Sequence, residues 1–327
     1  PSGLHPQTGN KCPVSISCDY LITFINIKRG LFTNLGRDTW KNIYFDPLIQ
    51  EDIESCNYLI SANNMYKFTN TNTAFKDLKG LSYSHKNSSH KKSDGVNLII
   101  AGEPPYHGSM ILSTLACLKT GCRYLNVLTH EEYSHSLPYF LPEVITAPHS
   151  LEFLSNNIGN YKNILIGPGM NSEIVPKYLE LIINNLDTFK SVVIDAGAIH
   201  ALKGFKFNSN KIIITPHPGE AAAILDCSVS DIQANRYEAA KNIFHKLGCR
   251  VILKGSGTII FDGKSYYTCM DGNHRMGVAG MGDVLSGILL SELSRQKDLS
   301  QACIKAVIFH SYSADFLFIN QNILNYL

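Results

Sequence analysis

From about residue 97 onward, short unbroken apolar runs take turns with stretches of helical periodicity. Residues 97–101, 124–128, 163–166, 191–195, 211–215 and 250–254 are rich in Val, Ile and Leu, and most end at Gly, Pro or Asp. Apolar runs that do not alternate with polar positions describe strands buried on both faces, so the pattern predicts a mostly parallel sheet flanked by helices, an α/β fold. Ligands of such sheets collect where the strands end. Residues 258–262 follow the 250–254 run through Gly255-Ser256-Gly257, which predicts a hairpin return and one antiparallel partner. Residues 283–295 and 299–320 carry apolar side chains at helical spacing, and 86–95 reads as a polar loop. The first part of the chain is different. It offers two β-rich runs, 20–25 and 40–45, separated by a Gly-containing stretch, too few elements for a core. Two units are expected, 1–51 and 52–327.

Composition narrows the picture. The 327 residues are 44% hydrophobic and 17% charged, and no apolar run reaches the ~20 residues that cross a bilayer. A membrane partner is therefore not expected. Net charge is +2, and the basic run at 84–93 has no interleaved aromatic residues, so nucleic acid is not an expected partner either. Nine scattered cysteines, never spaced C-x-x-C, read as reduced and mostly buried thiols. With no charged, then apolar, then small leader pattern at the start, a cytoplasmic setting is expected.

The richest chemistry lies at 277–287. A Gly280-Met281-Gly282 turn entering a helix, with Asp283 in its first turn, combines free backbone N–H groups with one carboxylate, as a phosphoryl-transfer site requires. Asp283 is either a base for a substrate hydroxyl or a plain helix cap, and the local pattern permits both. Three more turns follow predicted strands. Thr215-Pro216-His217-Pro218-Gly219-Glu220 opens a helix at Pro218, which leaves His217 either at a site or packed and satisfied by backbone. Lys254-Gly255-Ser256-Gly257-Thr258 pairs a lysine with two glycines that would let a nucleotide lie against the backbone. Gly167-Pro168-Gly169 is either a close-approach loop or an ordinary tight turn.

Together and in order, AGEPPYHGS (101–109), LIGPGM (165–170), ITPHPGE (214–220), LKGSGT (253–258) and GMGDVLSGIL (280–289) resemble the NAD(P)H-hydrate dehydratase family of the ribokinase-like superfamily. The likeness runs from about residue 52 to the last, with His90-Lys91 matching the family's entry to its first core strand. It implies dehydration of hydrated NADH or NADPH by phosphorylation of the C6 hydroxyl with ADP, or ATP, and elimination of phosphate, with Mg²⁺ as helper. It further implies Asp283 as catalytic base and substrate contact. Lys254, Gly255, Ser256, Gly257, Thr258, Gly280, Met281 and Gly282 would hold the nucleotide, and Ser109, Gly169 and His217 the hydrate. A homo-oligomer is implied as well. The chain departs from the family at Met281, where a threonine is usual, at Gly197, where a second Asp is usual, and at Ser109, usually alanine. Residues 1–46 resemble the end of the Rossmann-like NAD(P)H-hydrate epimerase domain, with Ser2 as a potassium ligand by likeness, so the chain is similar to part of a fused, bifunctional repair protein. No epimerase activity is expected from these residues alone. Two other readings compete: a small-molecule kinase of the same superfamily, and a nucleotide-binding protein with little catalysis.

Overall fold

The computed structural model describes residues 3–24, 27–46, 57–62, 64–67, 75–77, 89–171 and 173–324. The first strands, β1 (Cys18–Phe24) and β2 (Trp40–Asp46), form a separate parallel pair in which Cys18 faces Trp40 and Phe24 faces Asp46. Twelve further strands make one sheet: β3 (Asn57–Ile60), β4 (Asn64–Lys67), β5 (Phe75–Asp77), β6 (Val96–Ile100), β7 (Leu125–Thr129), β8 (Ile145–Pro148), β9 (Tyr161–Ile166), β10 (Ser191–Ile194), β11 (Ile212–Ile214), β12 (Arg250–Leu253), β13 (Ile259–Phe261) and β14 (Tyr266–Cys269). Their order is β5-β4-β3-β14-β13-β12-β11-β10-β9-β6-β7-β8. Every pairing from β12 through β8 is parallel, whereas β12–β13 and β13–β14 are antiparallel. The mostly parallel α/β sheet and the hairpin return after 254 are thus both present.

Strand residues alternate between two dry layers. Ile164, Ile166, Val192, Ile194, Ile212 and Ile214 face one core, while Leu165, Val193, Ile213 and Ile252 face the other. The helices divide accordingly. Val175, Leu179 and Ile182 of α4 (Val175–Asn184) and Ala240 and Ile243 of α8 (Arg236–Leu247) pack on the first side. Met110 of α1 (His107–Lys119), Leu289 and Leu293 of α9 (Met281–Arg295) and Val307 of α10 (Leu299–Leu324) pack on the second. Burying each such Leu or Ile is worth about 1.5–3 kcal/mol, which is why the sheet interior requires unbroken β-branched runs.

The sequence pattern missed β3, β4, β5, β8 and β14, since short strands such as ITAP at 145–148 lack an unbroken run of Val, Ile and Leu. Part of the loop expected at 86–95 lies outside the described residues; 91–94 form a turn. Among the described residues all eight cysteines are free, and five of them are buried. No helix there is long and apolar enough to cross a membrane.

The N-terminal segment leans on the larger unit. Leu31, Phe32 and Leu59 of β3 share a small core, joined by Trp40, Ile43 and Met270. On the opposite face of the β1–β2 pair, Tyr20, Ile22, Phe24 and Tyr44 are exposed, with the two tyrosine rings stacked 6.2 Å apart.

Candidate active site

The parallel strands deliver their polar side chains at one edge. Asp195, Thr215 and Lys254 immediately follow β10, β11 and β12. Lys254 Nζ donates to Asp195 Oδ1 at 2.9 Å, and the Thr215 hydroxyl donates to the same oxygen at 2.6 Å. The other oxygen, Oδ2, is buried without a hydrogen-bond partner. Glu220 Oε2 is 3.8 Å from Lys254 Nζ. Burial pushes the Glu220 carboxyl up to about 7, against the pull of Lys254 and with the help of Asp195. Burial alone would depress the Lys254 ammonium, but the carboxylates of Asp195, Glu220 and Asp283 outweigh it and hold the group above its ordinary value.

Asp283 belongs to the third helical position of α9, whose N-cap is Gly280 in the left-handed region (φ 88) with no side-chain cap hydrogen bond. The plain-cap reading of Asp283 therefore fails. Its carboxylate instead lies beside the Ser109 side chain. Burial raises its pKa, the Asp195 charge raises it further, and Ser109 and Lys254 oppose. The first helical hydrogen bond runs from Val284 N–H to Gly280 O, so the N–H groups of Met281, Gly282 and Asp283 precede the ladder and have no intrahelical acceptor. At Gly282 an added Cβ would lie 3.1 Å from Lys254 Nζ, which puts this backbone beside the ammonium.

His217 caps α6 (Pro218–Leu225). Its Nδ1 accepts from Gly219 N–H at 2.9 Å and Glu220 N–H at 3.3 Å, while Glu220 Oε2 accepts from the His217 N–H at 2.7 Å. Both readings of His217 are thus partly realised: Nδ1 is spent on the backbone, and the ring remains half exposed beside Glu220. Burial, then the Lys254 charge, lowers its pKa, and because Nδ1 accepts from the backbone the neutral ring carries its proton on Nε2. Gly169 (φ 65) lies against Tyr106 and Ser109, where a Cβ would meet Tyr106 O at 2.3 Å. One connected surface therefore runs from Gly169 and Ser109 through Asp283 and Gly282 to Lys254, Glu220 and His217.

On the other side of Lys254 opens a cavity of about 660 Å³, well within the size range of small-molecule sites. Lys254, Gly255, Ser256, Thr258, Met281 and Gly282 line it. Gly257 and Gly280 are not among its lining residues. Gly257 (φ 66) faces the N-terminal segment, where a Cβ would collide with Phe32 O at 2.0 Å. A Cβ at Gly280 would strike Leu112 at 2.4 Å. Ser2, the expected potassium ligand, lies outside the described residues.

Several contributors escaped the sequence reading. The buried Arg236 props the 254–257 loop, with Nη2 donating to the carbonyls of Leu253, Lys254 and Gly257 at 3.2, 3.2 and 3.4 Å. A lone arginine on an amphipathic helix reads as surface, and nothing local marks it otherwise. His310 of α10 lines the cavity near the Met281 backbone; burial pushes its pKa down to about 4. The glycine at 197 has a clear steric reason: a Cβ there would lie 1.6 Å from Met170 O. The backbone has closed over the place where the resembling family carries a second carboxylate.

With the geometry in hand, the fold is that of the ribokinase-like superfamily. A ribokinase-like protein of Enterococcus faecalis superposes with a TM-score of 0.67 at 26% identity, over 72% of this chain and 84% of that one. The ADP/ATP-dependent NAD(P)H-hydrate dehydratase of Bacillus subtilis, co-crystallised with ATP and Mg²⁺, gives 0.62 at 27% identity, over 72% and 85%. The family model of NAD(P)H-hydrate dehydratase matches residues 97–327, and the chain belongs to that family. The bifunctional NAD(P)H-hydrate repair enzyme Nnr of Escherichia coli is 30% identical over 318 residues, 97% of this chain and 60% of the relative. That of Vibrio cholerae is 28% identical over 319 residues, 96% of this chain and 62% of the relative. The chain thus spans about three fifths of the length of these relatives.

Proposed function

We propose that this chain removes water from hydrated NADH or NADPH, using ADP in preference to ATP. Asp283 takes the proton of the C6 hydroxyl, and the freed oxygen attacks the terminal phosphoryl group. Phosphoryl transfer from ADP releases AMP; the C6–O bond of the phosphate ester then breaks with help from the ring-nitrogen lone pair, inorganic phosphate departs, and a C5 proton passes to solvent as the C5–C6 double bond re-forms. Hydroxide is a poor leaving group and phosphate a good one, which is the chemical reason for spending a nucleotide. The N–H groups at the start of α9 and the Lys254 ammonium are placed to stabilise charge on the moving phosphoryl group. Ser109, Gly169 and His217 frame the hydrate side; Lys254, Gly255, Ser256, Thr258, Met281 and Gly282 frame the nucleotide side.

Among the described residues no three His, Cys, Asp or Glu side chains converge as a metal site. Mg²⁺ fits this arrangement as an ion carried on the nucleotide phosphates, since it commonly takes only one or two protein carboxylates, and the unpartnered Oδ2 of Asp195 is the carboxylate oxygen available. When bound it would neutralise phosphate charge. We assign residues 1–51 to the end of an epimerase unit and 52–327 to the dehydratase unit. Membership of a larger bifunctional repair protein whose epimerase part holds a potassium ion, self-association and a cytoplasmic setting belong to the same proposal, while these residues alone are not proposed to epimerise.

The observation that carries this reading is one carboxylate, Asp283, set beside unpaired helix N–H groups and a buried lysine at the ends of parallel strands. Incubation with chemically hydrated NADH and either ADP or ATP, following the return of reduced-nicotinamide absorbance, tests it. A small-molecule kinase would leave the hydrate untouched, and a nucleotide-binding protein without catalysis would bind ADP and restore nothing.

A further inference from the structure

Residues 33–38 lie more than 200 positions from the loops they touch, yet they are fastened to both rims of the cavity beside Lys254. Asn34 N–H donates to Ser256 O at 3.2 Å, and the Thr33 hydroxyl donates to the same oxygen at 3.4 Å. At the opposite rim, Arg37 donates through Nη2 to the carbonyls of Met270 at 2.7 Å and Gly272 at 3.1 Å, and through Nη1 to that of Asp271 at 3.4 Å. Asn34, Leu35, Arg37 and Asp38 themselves line the cavity. The bridge between the rims is stiff. A Cβ on Gly36 would fall 1.8 Å from Gly30 O, and Thr39 is buried with its hydroxyl donating to Gly36 O at 2.7 Å.

We propose that residues 33–38 are a wall of the adenine-nucleotide site, so that nucleotide affinity depends on the N-terminal segment being seated. This rests on the reading of the cavity as the nucleotide pocket. Two effects make up the wall. Leu35, 41% exposed, offers an apolar surface directly to the cavity. Arg37 is a positioning residue: it saturates three backbone carbonyls at the 270–272 rim and fixes the distance from that rim to the 254–258 loop. By linkage, a nucleotide that binds only the seated arrangement must in turn stabilise the seating.

The chain carries its own reporter. Its single tryptophan, Trp40, follows this segment, donates its indole N–H to Leu31 O at 2.9 Å and packs edge-on against Phe32 at 5.5 Å. The test is calorimetric titration of ADP and ATP into the 327-residue chain and into Leu35→Glu, Arg37→Ala, Arg37→Lys and Tyr139→Glu. Leu35→Glu puts a negative charge into the cavity that would hold an anionic nucleotide, without disturbing a core, and Tyr139, 88% exposed, is the matched control elsewhere on the surface. Expected are an about tenfold or greater weakening of nucleotide binding in Leu35→Glu and Arg37→Ala, partial recovery in Arg37→Lys, and no change in Tyr139→Glu. The KM for hydrate should stay within about twofold, and Trp40 emission of the unaltered chain should move on adding nucleotide. Unchanged nucleotide affinity in Leu35→Glu and Arg37→Ala would overturn the wall while leaving the dehydratase reading intact. Failure of the unaltered chain to bind either nucleotide would remove both.

Discussion

The two sides of the site are built in opposite ways. The Asp195–Lys254–Glu220 cluster is assembled from residues that follow β10 and β12 and from the first turn of α6, and is buried, so its charges hold one another in place. The wall at 33–38 comes from a distant, half-exposed segment and is held by backbone carbonyls. At the first, fold and chemistry are inseparable, because removing one charge leaves another stranded in a poor solvent. At the second, side chains can change while the core stays intact. Damage at the strand ends should therefore appear as lost stability together with lost activity, and damage at the wall as lost affinity alone.

Lys254→Met is the severest test of that contrast. It leaves Asp195 buried without its cation and should cost about 3–5 kcal/mol, read as a fall in the urea midpoint, together with loss of turnover. A variant that kept the midpoint would show that the ion pair does not bind the site to the fold. Asp283→Asn comes next: nucleotide still binds by calorimetry, but turnover falls roughly 100-fold or more, the scale of a lost general base. Near-normal turnover would reduce Asp283 to a neighbour of Ser109.

Glu220 supplies a pH-dependent version. Its folded pKa of about 7 lies above the ordinary 4.5, so the folded protein holds a proton that the unfolded chain releases. Its contribution is therefore most favourable below about 4.5 and is lost as pH rises through 7, a change on the order of 3 kcal/mol. Glu220→Gln should flatten that part of the stability curve, measured as Tm against pH; a curve parallel to the unaltered chain's would contradict it. The mildest case is His217. Replacement by Ala should cost about 1 kcal/mol through the lost cap, while Asn, itself a good cap, should restore Tm. If His217 also meets the hydrate, the Asn variant will raise the hydrate KM without lowering Tm.

The same contrast explains what could be read beforehand. Six of the seven parallel strands, all but β8, and α9 announce themselves because each is a local pattern: unbroken Val, Ile and Leu for a strand buried twice, and Gly-x-Gly-Asp for a helix mouth. Lys254, His217 and Asp283 followed, since each closes or opens such an element. Asp195 was legible only as the end of a strand, not as the acceptor shared by Lys254 and Thr215, because that meeting depends on strand order. The wall was illegible for a stronger reason. Gly257 looked like room for a ligand, and only the fold shows that the room is taken by Phe32 O, contributed from 225 positions earlier. Arg236 likewise acts on carbonyls that no spacing rule connects to it.

The parallel sense of β1 and β2 has a last consequence. Strands running the same way cannot be joined by a tight turn, so the chain after Phe24 must travel back before it can re-enter at Trp40. That return path carries the segment that closes the cavity. Sliding either strand by one residue would displace its far end by about 3.3 Å, as much as the length of the hydrogen bonds that moor Asn34 and Arg37. A connection of this kind would normally tolerate insertions; here its span is as fixed as a bond length, and chain length itself becomes part of the binding site.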